Sequence, residues 1–127
     1  MIAKNPAEVH ELFARCFSTG DLEGLMSLYE DDATFLQRDG QSVDGKAAIR
    51  QTYTELLAIG GQMSLEVKKI IQTGDLALLF SQWELQEVGT SLPVRSGQTS
   101  DVVRRQPDGC WLLIIDVPYG AEVKIDS

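Results

Sequence analysis

Histidine occurs once in the 127 residues, cysteine twice and proline four times. No apolar run approaches the roughly 18 residues that a membrane-spanning helix needs. The distant pair Cys16 and Cys110 forms neither a disulfide framework nor a C-x-x-C motif. Both read as small apolar core residues in a reducing compartment. One His without clustered soft ligands excludes a structural zinc site, and no metal is expected. Basic residues are scarce too, 11 Lys plus Arg against 19 Asp plus Glu, for a net charge of −8. Duplex nucleic acid and anionic membranes demand a basic footprint. The only basic doublets, Lys68-Lys69 and Arg104-Arg105, would split between opposite faces of a strand. Neither nucleic acid nor membrane is therefore an expected partner. The opening Met1-Ile2-Ala3-Lys4-Asn5-Pro6 has no apolar signal-peptide core, so a cytoplasmic location is expected.

What is present is ordinary for a globule: 43% apolar and 24% charged residues. The length predicts one domain, 1–127, burying roughly 65–70% of the surface its unfolded chain exposes. Asn5-Pro6-Ala7-Glu8 reads as a helix start, followed by Val9, Leu12, Phe13, Cys16 and Phe17 at helical spacing, with Gly20 as the stop. Asp21 caps a second, shorter helix whose face carries Leu22, Leu25, Met26 and Tyr29. A short strand, Ala33 to Gln37, ends at Asp39-Gly40. Asp44-Gly45 opens a third helix with Ile49, Tyr53, Leu56 and Leu57 on one face, stopped by Gly60-Gly61.

From residue 62 the apolar period changes from helical to alternating. Strands are predicted over Met63 to Ile71, with a bulge near Lys68-Lys69, then over Leu76 to Glu87, Arg95 to Gln106 and Cys110 to Val117. A polar loop spans Val88 to Pro93. Three helices ahead of an antiparallel run define an α+β fold.

The segments Phe17-Ser18-Thr19-Gly20-Asp21-Leu22, Leu28-Tyr29-Glu30-Asp31-Asp32-Ala33-Thr34-Phe35, Asp44-Gly45-Lys46-Ala47-Ala48-Ile49, Asp101-Val102-Val103-Arg104-Arg105 and Asp108-Gly109-Cys110-Trp111 occur in sequence. In this order the chain resembles the nuclear transport factor 2-like superfamily, in its SnoaL-like and ketosteroid-isomerase-like branch. The resemblance covers about residues 6 to 120. It implies a cystatin-like conical α+β barrel, with the helices in a strongly curved antiparallel sheet, an internal apolar pocket and a homodimer through the outer sheet face. Ketosteroid isomerases use an Asp base with a Tyr and a neutral Asp as oxyanion donors. Carried over by position, the Tyr falls on Phe13, the base on Gln37 and the neutral Asp on Asp101. Only Asp101 retains its group, so steroid-type isomerisation by that mechanism is not expected.

By the resemblance, Phe80, Gln82 and Glu84 face the cavity, while Trp83 and Leu85 face the partner subunit. Asp101 is the candidate oxyanion donor and Glu84 the candidate base; a surface carboxylate is the alternative for each. Phe13, Phe17, Phe35, Gln37, Tyr53, Phe80, Gln82, Val103 and Ile115 form the expected substrate-binding set. His10, one position from Val9 and off the apolar stripe, is expected at the surface. The face of Asp116 depends on the turn at 107–109. A two-residue Asp-Gly turn pairs it with Asp101. A three-residue Pro-Asp-Gly loop, which Pro107 favours, places Asp101 opposite Ile115 and Asp116 on the outer face.

The expected function is binding of a small, mostly apolar, oxygenated metabolite, with cofactor-free proton transfer of isomerase or cyclase type. The alternatives are a non-catalytic binding domain and a dimeric scaffold with the same fold.

Overall fold

The computed structural model describes residues 2–86 and 93–124. Helix α1 spans Pro6–Thr19; the Asn5 side chain accepts the Glu8 amide at 3.0 Å, and Gly20 ends the helix in the left-handed region at φ 71°. Helix α2, Leu22–Met26, is capped by Asp21 through the Gly24 amide. The chain then enters β1, Tyr29–Leu36, so Tyr29 lies on a strand and not on the expected second helix. Its neighbour explains the difference: the Leu28 carbonyl accepts the Leu113 amide at 2.7 Å, which commits this segment to the sheet. A short strand β2, Ser42–Asp44, absent from the sequence reading, precedes α3, Lys46–Ile59. Four strands follow: β3 Gln62–Thr73, β4 Leu76–Gln86, β5 Pro93–Arg105 and β6 Trp111–Asp116. The expected polar loop at Val88 to Pro93 falls mainly outside the described residues, and Pro93 opens β5.

The strands form one six-stranded sheet in the order β2-β1-β6-β5-β4-β3. Its long strands are antiparallel, whereas β1 pairs with β6 in parallel. The expected bulge in β3 is present: Val67 pairs with Ser81 and Lys69 with Phe80, leaving Lys68 as the extra residue.

A second bulge, in β6, decides the site. The β5–β6 turn is the three-residue type that Pro107 favours: Gln106 and Cys110 pair across it, and Gly109 takes φ 91°. This sets Arg105 opposite Trp111 and Val103 opposite Leu113. The next pair is Val102 with Ile115, so Ile114 is skipped and the register moves by one. That shift cancels the offset of the turn. Asp116 therefore comes inside, buried beside Asp101, while Ile115 is 42% exposed on the outer face. The turn was legible; its predicted consequence was reversed one residue later.

The helices pack against the concave face. Val9, Phe13, Cys16 and Phe17 of α1 and Ile49 and Tyr53 of α3 are buried there. The Tyr53 ring meets Phe13, Phe17 and Phe35 edge-on at 5.7, 6.4 and 5.7 Å between centroids. Such pairs each contribute about 0.5–1.5 kcal/mol beyond their burial. Among the described residues, no helix is long and apolar enough to cross a membrane.

Candidate functional site

Between the helices and the open end of the sheet lies a cavity of about 530 Å³. Phe13, Phe17, Phe35, Leu56, Met63 and Leu65 give it apolar walls. Its polar floor combines His10, Asp101, Asp116 and Tyr53. A site with apolar walls and a few convergent polar groups is the usual form of a small-molecule pocket.

The floor begins on α1. His10 is 2% exposed and bridges two strands, with Nδ1 2.7 Å from Ser81 Oγ and Nε2 2.7 Å from Asp101 Oδ2. Both ring nitrogens are thus used, Nε2 toward the carboxylate and Nδ1 toward the Ser81 hydroxyl. Asp101 Oδ1 accepts the Val117 amide at 2.7 Å. Its two oxygens thus face donors, and His10 acts on the site by positioning this carboxylate.

Asp116, 4% exposed, sits beside Asp101. Its Oδ2 accepts a short hydrogen bond from the Tyr29 hydroxyl and a 3.5 Å bond from Tyr53. The Asp116 carboxyl is nevertheless pushed well above the usual carboxylate range, first by burial and then by the charge of Asp101. The phenol donors oppose the shift without cancelling it. Burial, reinforced by Asp116, also raises Tyr29 and Tyr53 far above the normal phenol range, keeping both as donors. Burial and the neighbouring Asp101 together make Asp116 hold its proton to higher pH than an ordinary carboxyl.

The cavity wall along β5 depends on a glycine. A Cβ on Gly97 would lie 2.8–3.0 Å from the Trp83 indole, so glycine allows the ring to lie against the strand. Trp83 Nε1 donates to the Pro118 carbonyl at 2.6 Å, and its ring meets Tyr119 edge-on at 5.5 Å. Among the described residues, no group of three or more His, Cys, Asp or Glu converges as a metal site requires.

Of the expected site residues, Asp101, Phe13, Phe17, Phe35, Gln37 and Tyr53 line the cavity. Val103 shares the inner face of β5 but is sealed in the core. The face assignment of β4 is inverted. Ala77, Leu79, Ser81 and Trp83 are buried, whereas Gln82 is exposed and Phe80 and Glu84 are half-buried on the outer face. Glu84, Gln82, Phe80 and Ile115 therefore do not reach the cavity, and Trp83 and Leu85, expected on the outer face, line it. The inversion has a physical origin. Leu78-Leu79-Phe80 is apolar on both faces, so alternation cannot choose between them, and Ser81 turns inward to bond His10.

His10 and Asp116 were the functional residues misplaced. The signal for His10 was available: His10, Phe13 and Phe17 fall at i, i+3 and i+7, one helical face. Reading the stripe from Val9 hid it. For Asp116 nothing in the residue pattern marks the skip at Ile114.

The SnoaL-like domain profile matches residues 9–113. No curated protein matches the sequence. Among solved structures, a Nostoc punctiforme domain of unknown function with a cystatin-like fold is 17% identical, with a TM-score of 0.78, over 94% of this chain and 75% of that one. A proposed dehydratase of the NTF2-like family from Streptomyces avermitilis is 19% identical, with a TM-score of 0.74, over 87% and 89%. A ketosteroid isomerase-like protein from Erwinia carotovora atroseptica is likewise 19% identical, with a TM-score of 0.70, over 87% and 89%. At these identities the likeness concerns the fold alone.

Proposed function

The chain belongs to the SnoaL-like domain family, and from that premise we propose that its cavity binds a small, mostly apolar, oxygenated metabolite and moves a proton on it without a cofactor. The observation that carries this reading is the buried carboxyl pair on an apolar cavity, with Asp116 pushed above the usual carboxylate range beside Asp101. A neutral buried carboxyl donates a hydrogen bond to a carbonyl oxygen as negative charge develops there. Asp101, positioned by His10 and the Val117 amide, takes the proton from the carbon next to that carbonyl. The C–H electron pair moves into the new C=C bond and the carbonyl π pair onto oxygen, giving an enolate bonded by Asp116. Return of the proton to the same or a conjugated carbon completes exchange or isomerisation. The oxyanion-donor role expected of Asp101 thus passes to Asp116, and Asp101 takes the base role expected of Glu84.

The test uses 2-tetralone in deuterium oxide, with exchange at its α-carbons followed by NMR. The protein is expected to exceed buffer, and Asp101→Asn to lose roughly 10²–10⁴-fold of the acceleration. An unaccelerated exchange despite bound ketone favours the second reading, a non-catalytic binding domain. Gln37 supports that reading, because it lines the cavity with an amide where the resemblance places a base.

A homodimer through the outer sheet face remains part of the proposal, on different residues. Ile71, Leu78, Val102 and Ile115 are register neighbours across β3, β4, β5 and β6, giving a continuous apolar row. Ile71 is 50% exposed, and a second copy apposed by a twofold axis would cover one row with another. Sedimentation should show a dimer for the parent chain and a monomer for Ile71→Lys. A parent that sediments as a monomer at about 100 μM, well above the affinity of typical specific dimers, overturns this.

A further inference from the structure

The inner face of β5 carries Arg95, Gly97, Thr99 and Asp101 in alternate positions, a polar ladder from the cavity mouth to its floor. Two features of this ladder are not used by the carboxyl pair. Thr99 is 4% exposed, lines the cavity, and its Oγ1 has no hydrogen-bond partner within the described protein. Buried hydroxyls are normally paired, so one aimed into a pocket marks a place for a ligand atom. The second feature concerns charge. The acidic chain has six arginines, and Arg50, Arg104 and Arg105 are bound to Glu23, Glu30 and Asp75. Arg38 and Arg95 instead line the cavity mouth, and among the described residues neither has a carboxylate within ion-pair distance. Arg38 stacks over the Tyr119 ring at 5.2 Å, which fixes its guanidinium at the lip. Asp39 also lines the mouth, with Oδ1 accepting the Gln41 amide.

We propose that the ligand is an elongated, apolar-bodied carboxylic acid whose carboxylate is held at the mouth by Arg38 and Arg95 and whose inner oxygen is bonded by Thr99. This rests on the small-molecule reading above and names the substrate class it left open. Guanidinium recognises a carboxylate through paired N–H donors, and the aromatic and aliphatic walls take the body between the two polar ends. Thr99, two residues from Asp101 on the same strand face, places the ligand oxygen next to the acid pair. A ketone or hydroxyl at the inner end and a carboxylate at the outer end define the class.

The test compares three probes by calorimetry on the intact chain: 4′-hydroxybiphenyl-4-carboxylate, biphenyl-4-carboxylate and 4-hydroxybiphenyl. The full probe is expected to bind roughly tenfold or more tightly than 4-hydroxybiphenyl. Arg38→Met and Arg95→Met should erase that advantage while leaving 4-hydroxybiphenyl unaffected. The near-isosteric Thr99→Val should weaken the full probe roughly three- to tenfold and leave biphenyl-4-carboxylate unchanged. Equal binding of the full probe and 4-hydroxybiphenyl overturns the acid inference and leaves the small-molecule reading standing. Arginine variants that bind the acids as the parent does overturn it equally, as does Thr99→Val weakening both acids alike. Failure of all three probes to bind overturns the inference and the reading beneath it together.

Discussion

Asp101→Ala should lower the stability of the folded chain by about 3–5 kcal/mol, from two hydrogen-bond donors left without their acceptor at about 1–3 kcal/mol each. The substitution strands two donors at once. His10 Nε2, on a residue 2% exposed, loses the carboxylate it bonds, and the Val117 amide loses the acceptor that receives it at 2.7 Å. Against a total stability of about 5–15 kcal/mol this is a large fraction, equivalent to roughly 10–20 °C in Tm. Asp101→Asn keeps an acceptor oxygen and should cost less. Urea unfolding followed by circular dichroism measures both, and a loss below about 1 kcal/mol for the alanine variant would show that the pair does not support the fold.

The pH dependence of stability should carry a component of opposite sign to ordinary acid denaturation, traceable to Asp116. Its folded carboxyl lies well above the normal value, so the native state holds a proton that the unfolded state has released. The stabilising effect of this proton is complete below the unfolded carboxylate value, about 3.9, and is lost as pH rises toward the folded value. Within that window the contribution falls by about 1.4 kcal/mol per pH unit. Glu30, lowered chiefly by its bond from Arg104, works the other way: its contribution is present above the unfolded value and lost as pH falls. Subtracting the Asp116→Asn profile from that of the parent isolates the Asp116 component. The parent should lose ground to the variant steadily from about pH 4 upward. Parallel profiles would mean that Asp116 titrates alike in both states and that the pair shares no proton.

Much of the architecture was legible because the strongest local signals agree with the final packing. Asn5, Asp21 and Gly20 mark helix ends where the sequence places them, and the interruption at Lys68-Lys69 is a bulge. The cavity walls Phe13, Phe17, Phe35 and Tyr53 followed from periodicity and resemblance together. The failures share one cause: a side chain's face is set by register, and register is a tertiary property. In β4 both faces are apolar, so Glu84 was placed inside and Trp83 outside when the reverse holds. In β6 the turn chemistry was read correctly, but the skip at Ile114 returned Asp116 to the interior. His10 was missed because the helical stripe is wide enough to include it. Its partners Ser81 and Asp101, 71 and 91 residues away, are invisible to any local window.

Those separations have a kinetic consequence. Asp101 and Asp116 ride on one hairpin, a contact of short range that closes cheaply, whereas the His10 contacts join opposite ends of the chain. A nascent β5–β6 hairpin can therefore bring the acids together before α1 has docked and before the surrounding layer dries the site. Until that layer packs, the Asp116 carboxyl lacks the burial that raises its proton affinity. The rise in the proton affinity of Asp116 then belongs to the docking of the helical layer, not to the closing of the hairpin.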